Sequence, residues 1–256
     1  FYICICKHIK VMKENQTTFP TEEVSLPSKG LIYPVDNPLS KGVVEMKYMT
    51  AKEEDILTNS KFISDGVVID KLLEAVIVSK INFSDLVLGD KNAIMVATRI
   101  LGYGSNYKAF VGGQETEIDL SLIENKKIDK KLFPKNKNEF HFTLPHTKTE
   151  VTWKCITQGD ERKISRELKG YEKLGKGVTT PESSTRLKYI ITSVNGDYDI
   201  KLIRKFVDEA LLARDARALR EHISKTQPDI DLTFFPPGSD EKRSIPINLN
   251  FFWPDA

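Results

Sequence analysis

Asp90–Leu120, DKNAIMVATRILGYGSNYKAFVGGQETEIDL, holds both structural habits of the chain in one stretch. Its first part sets Ala93, Ile94, Ala97, Ile100 and Leu101 at the three-and-four spacing of an amphipathic helix. Asp90 is placed to cap that helix, and Gly102-Tyr103-Gly104 to stop it. The second part changes to strand character: Tyr107–Val111, a Gly112-Gly113-Gln114 turn, then Glu115–Leu120, which predicts a β-hairpin. A helix running into a local hairpin argues for an α+β fold rather than a crossover βαβ sheet.

Upstream, Leu26-Pro27-Ser28-Lys29-Gly30 and Leu31-Ile32-Tyr33-Pro34 read as an extended lead-in punctuated by proline. Val43–Met49 alternates like a strand. Thr50-Ala51-Lys52-Glu53 forms a capping box before a short helix through Leu57. Ile69, Leu72, Leu73, Val76 and Ile77 share the face of another helix.

Downstream, a Lys/Asn-rich link at 125–138 precedes two strand-like runs, Glu139–Leu144 and Glu150–Thr157. Gly159-Asp160-Glu161 opens a helix with Ile164, Leu168, Tyr171 and Leu174 inward. Pro181 starts another, with Leu187, Ile190, Ile191 and Val194 on its face. The longest helical stretch is read from Ile200 to Lys225. After Pro228 a last hairpin is expected, Ile230–Phe235 with Ser244–Trp253. The expectation is a mostly helical core with local hairpins, one mid-chain and one C-terminal. Its parts are 24–124 and 139–256, joined by the link, with 1–23 a flexible or non-native extension.

Composition excludes several classes. In 256 residues, 40% are hydrophobic and 29% charged, which is neither disordered nor collagen-like. With 38 basic and 36 acidic side chains the net charge is +2, so no global field draws the chain to nucleic acid or an anionic membrane. Three cysteines cannot build a disulfide framework. The opening FYICICKHIKV has its charges on the wrong side for a secretory signal, and is read as translation upstream of Met12; a genuine first strand is the rival reading. Without it, Lys7 and Lys10 go and the chain becomes neutral.

Chemical motifs are weak. Gly170–Gly177 approaches a phosphate loop but has Gly177 where the hydroxyl that holds magnesium belongs. Asn195, Asp197 and Asp199 match the start of a calcium loop, but Ile200 and Phe206 occupy its glycine and glutamate positions, so a turn with a helix cap is expected. His141, His146 and Cys155 fall short of the roughly four convergent ligands that zinc takes. No catalytic, metal or cofactor residue is assigned, and no small-molecule substrate. Lys126, Lys127, Lys130, Lys131, Lys135 and Lys137, with Arg204, Lys205, Arg214, Arg217 and Arg220, form the basis of an alternative reading as a nucleic-acid-binding module. Acidic neighbours such as Asp208, Glu209, Asp215 and Glu221 argue instead for pairs along the helix.

Phe251-Phe252-Trp253 is unusual, because one strand face cannot bury three adjacent aromatics. They either anchor the C-terminus on the core or contribute, with Leu31, Ile32 and Tyr33, to a partner interface.

Taken in order, these segments resemble the baseplate-protein family of T-even-type bacteriophages, which includes the baseplate hub subunit and the hub assembly catalyst. The resemblance rests on Leu26–Gly30 with Tyr33, Met49–Glu54 with Leu57, Gly89-Asp90, and Arg99 with Gly102–Gly104 and Tyr107. It continues through Asp119-Leu120, Leu144-Pro145, Gly159–Glu161, Arg186-Leu187, Ser193–Asp197, Arg214-Asp215 with Arg220, Pro228-Asp229 and Phe251–Pro254. It implies a non-enzymatic tail protein of the central hub, binding other hub proteins in the host cytoplasm or the virion, with no membrane association. Relatives with Cys-x-x-Cys at the two hairpin turns imply a zinc knuckle. Here Val111–Gln114 and Pro236–Ser239 stand in those places, so packing alone must hold the hairpins.

Overall fold

A computed structural model describes residues 20–111, 114–134, 136–173, 180–236, 240–245 and 247–252. The expected extension 1–23 is folded at its end. Strand β1 (Thr21–Ser25) pairs antiparallel with β2 (Val43–Lys47), placing Val24, Val44 and Met46 in the core. The lead-in between them doubles back through Gly30, where a side chain would strike the Ser40 carbonyl at 2.1 Å and φ is +75°.

Helices α1 (Ala51–Leu57), α2 (Ser60–Asp65), α3 (Val68–Val76) and α4 (Leu88–Tyr103) follow. Glu53 reaches back to the Thr50 N–H at 2.9 Å as the capping box requires, while the Thr50 hydroxyl donates to it at 2.6 Å. The face formed by Leu72, Leu73 and Val76 is buried, as its spacing predicts. Asp90 is not the cap of α4. The helix begins two residues earlier, where Leu88 N–H reaches the Ile156 carbonyl at 3.0 Å, and Asp90 turns inward from the first turn.

The expected mid-chain hairpin forms from β3 (Asn106–Val111) and β4 (Gln114–Asp119), with Tyr107 opposite Ile118; Gln114, read as part of the turn, begins β4 opposite Val111, and Gly112-Gly113 lie outside the described residues. Strands β5 (Phe140–Thr143), β6 (Glu150–Trp153) and β7 (Ile191–Val194) form an antiparallel sheet. Between them come α5 (Gln158–Glu172) and α6 (Glu182–Ile190). Thr157 caps α5 reciprocally with Asp160. Leu174 and Gly175–Gly177 lie outside the described residues.

Three expected elements differ. Leu187, Ile190, Ile191 and Val194 fit a helical face, but the helix stops at Ile190 and Ile-Thr-Ser-Val joins β6 as β7, with Thr152 opposite Ser193. The pairing available from β6 outweighs a period that β-branched residues satisfy poorly. The single helix over 200–225 is two: α7 (Ile200–Lys205) ends in a π-turn at Phe206–Ala210, Leu211 and Leu212 are extended, and α8 (Ala213–Thr226) restarts. The break re-aims α8 so that Asp215 meets the β5–β6 turn while Leu219 and Ile223 enter the core. The C-terminal hairpin shrinks to β8 (Thr233–Phe234) and β9 (Arg243–Ser244), and a 3-10 turn at Leu249–Phe252 replaces the rest of its second strand.

The fold is α+β. The parts 24–124 and 139–252 share one hydrophobic core, because the C-terminal segment returns to the first part. Phe251 packs edge-on against Tyr107 at 4.9 Å, and Asn125 bridges Ile230.

Candidate interaction surface

Most polar residues singled out in the sequence hold the scaffold to itself. Asp90 is wholly buried. Its carboxylate accepts from Ser28 N–H at 2.8 Å, the Ser28 hydroxyl at 2.7 Å and the Tyr33 hydroxyl at 2.7 Å. Tyr33 Oη in turn accepts from Val87 N–H at 3.1 Å. Burial pushes the Asp90 carboxyl up to about 6; donation from Ser28 and Tyr33 works against that rise, and the charge of Asp229 adds to it. The lead-in is thus riveted to α4. Gly89 completes the joint, since a side chain there would strike the Pro228 carbonyl at 1.9 Å.

Asp70 plays a similar part between α3, α4 and α5, accepting from Lys91 at 2.7 Å and Gln158 at 2.6 Å. Asp215 is buried and accepts from the backbone N–H groups of His146 and Thr147 at 2.9 and 3.1 Å. Burial raises the Asp215 carboxyl, and those donors outweigh it to leave it below the usual carboxylate range. On α5, Glu161 takes a bidentate pair from Arg186 and Glu167 one from Arg204. Asn195 is left-handed at φ +50° in its turn and Asp199 caps α7, as the turn-and-cap reading expects.

Arg99 is 3% exposed. Two of its nitrogens donate to the Gly104 and Asn106 carbonyls, and its guanidinium lies 5.1 Å from the Tyr103 ring. Burial draws its pKa below the ordinary value. Cys155 is buried, and desolvation pushes its thiol far above the ordinary range, the opposite of a nucleophile. Among the described residues no group of His, Cys, Asp and Glu is arranged to hold a metal ion, and no helix is long and apolar enough to cross a membrane.

Of the six residues expected at a partner interface, none of the five that are described is exposed. Ile32, Tyr33, Phe251 and Phe252 are buried and Leu31 is partly buried, while Trp253 lies outside the described residues. Tyr33 is needed inside by Asp90, and Phe251 and Phe252 contact each other edge-on at 5.3 Å. Phe251 and Phe252 follow the core-anchor alternative. Of the basic residues, Lys126 turns to Asp229, Lys137 to Glu139 and Arg217 to Glu221. Arg204 pairs across to α5 rather than within its own helix.

The exposed apolar residues are others. Ile200 is exposed, and Tyr198 helps line a groove of about 370 Å³ over the β5–β6–β7 sheet together with His141, Thr152 and Ser193. Leu122 and Phe235 flank a second groove, of about 380 Å³, between β4 and β8. The sequence contains these side chains but not their direction, which tertiary partners decide. No family model, curated protein or solved structure matches the chain.

Proposed function

We propose that this is a non-enzymatic phage tail protein, a structural component or assembly factor of the baseplate central hub that works through protein–protein contacts. One observation carries the reading: the segments behind the baseplate resemblance meet one another in space. Leu26–Gly30 and Tyr33 meet Gly89-Asp90, and Gly89 meets Pro228-Asp229. Arg99 meets Gly104, Tyr107 meets Phe251, and Glu161 meets Arg186. Motif residues that sustain one another in this way specify a scaffold, and their polar groups are engaged in holding it. Contacts with other hub proteins would then use the remaining exposed apolar groups, with polar rims.

Quantitative mass spectrometry of purified virions against infected-cell lysate tests this. Stoichiometric presence in particles supports a hub subunit. Presence in lysate alone, with hubs failing to form when the gene is deleted, supports an assembly factor. Tails that assemble and infect normally without the protein would sink both.

A further inference from the structure

The groove between β4 and β8 combines an apolar floor, two exposed apolar side chains and a carboxylate lining. Its walls are tied before any partner arrives: Asp231 N–H donates to the Glu124 carbonyl at 2.8 Å, and Ile245 N–H to the Leu232 carbonyl at 2.7 Å. Buried Ile118, Ile123 and Ile245 form its floor. Two large apolar side chains remain in water at its edge, Leu122 at 59% and Phe235 at 58% exposure. Its lining carries four carboxylates, Glu117, Asp119, Glu124 and Asp231, and no Lys or Arg. Three cations adjoin the lining: Lys242 lies 3.6 Å from Asp231 and 5.5 Å from the Phe235 ring centroid, Arg243 stands opposite Phe234 in the β8–β9 register, and Lys108, opposite Glu117 in the β3–β4 register, pairs with Glu115 at 3.4 Å.

The rim is built to stay anionic. Donation from the Ser121 hydroxyl and N–H holds Asp119 below the usual carboxylate range. Burial raises Asp231, but Thr233 and Lys242 outweigh it.

We infer that this groove docks an extended segment of a partner protein, apolar at its centre and flanked by Lys or Arg. Leu122 and Phe235 supply the desolvating contact, and the carboxylate rim supplies orientation and sign. The same rim selects against other occupants. Nucleic acid and anionic membrane carry the wrong charge. Two copies meeting face to face through this patch would set carboxylates against carboxylates, since a two-fold contact apposes the same surface.

The inference stands apart from the baseplate reading, because peptide binding and virion composition are separate measurements and either can fail alone. Fluorescence polarisation on the full chain would use a labelled synthetic peptide alternating Leu and Phe with Lys and Arg, and a counterpart with Glu in place of the basic residues. The basic peptide should bind, more weakly as salt rises, and the acidic one should not. Phe235→Ser and Leu122→Ser should each weaken binding about tenfold, as truncating an interface anchor does. Glu117→Lys should weaken the basic peptide and improve the acidic one. Circular dichroism should show all three variants folded, since each site is exposed. No binding of the basic peptide at low salt, equal binding of both peptides, or binding indifferent to Phe235→Ser would overturn the assignment. A dimer seen by light scattering and dissolved by Phe235→Ser would also overturn it, giving the groove to a second copy.

Discussion

The joint between the lead-in and α4 and the joint between α5 and its neighbours use the same ingredients in opposite settings. At the first, Asp90 is sealed from water and accepts three hydrogen bonds from neutral donors. At the second, Glu167 meets Arg204 and Tyr189 with part of each side chain in solvent. A buried carboxylate is expensive to ionise but unscreened; a surface one is easily ionised and readily screened. The Asp90 joint is therefore held by satisfied burial and the Glu167 joint by charge, and the two should respond oppositely to pH, with only the Glu167 joint responding to salt.

The largest effect should come from Asp90→Ala. It strands Ser28 N–H, the Ser28 hydroxyl and the Tyr33 hydroxyl inside the core, at a cost of about 3–5 kcal/mol in urea unfolding. Sodium chloride should leave that loss unchanged. A loss below about 1 kcal/mol, within the range of a single net hydrogen bond, would mean that the joint contributes far less than its geometry implies.

The next largest is a pH effect. The folded pKa of Asp90 is raised from 3.8 to about 6, so its stabilising contribution belongs to the protonated form. That contribution is full below 3.8 and is lost as pH rises through about 6. The shift corresponds to about 3 kcal/mol at 1.36 kcal/mol per pKa unit. Asp90→Asn cannot ionise, so its stability relative to the parent should improve by about that amount as pH climbs through the window. Glu167 has the reverse sign: the Arg204 pair lowers its pKa, and its contribution is lost as pH falls. Parallel pH profiles for the parent and Asp90→Asn would remove the contrast.

The sequence made some of this legible. The faces of α3 and α4 and the β3–β4 hairpin follow from local period and turn chemistry, which need no distant partner. Asp90 was visible as a helix-start residue, but its inward turn depends on Ser28, 62 positions away. The π-turn after α7 was hidden because Ile200–Lys225 is helical by composition throughout; the break serves Asp215 and the distant β5–β6 turn. The docking groove was least legible. Phe251 and Phe235 are both C-terminal aromatics, yet Tyr107 takes one into the core and no described residue covers the other to a similar degree.

A smaller test sharpens the second half of the comparison. Glu167→Gln removes the charge that receives Arg204 at 2.9 and 2.7 Å. With Arg204 more than one-third exposed, the loss should be about 1 kcal/mol at low salt. It should shrink toward zero at about 1 M salt, where screening acts within about 3 Å. A salt-independent loss would place this pair in the same category as Asp90.

The smallest effect expected is none. Arg217 and Glu221 form a well-shaped bond at 2.8 Å, one helical turn apart on α8, but their side chains are 79% and 55% exposed. Holding two long side chains together in water costs rotamer entropy that offsets the attraction. Arg217→Ala should therefore unfold with the parent at every salt concentration, by urea and by heat. This variant decides what the contrast depends on. The Glu167 pair is bidentate and partly buried while the Glu221 pair is a single exposed bond, so a loss at Glu167 without one at Arg217 ties the stabilisation to burial and bidentate geometry together. Equal losses at both sites would make neither of them the controlling variable.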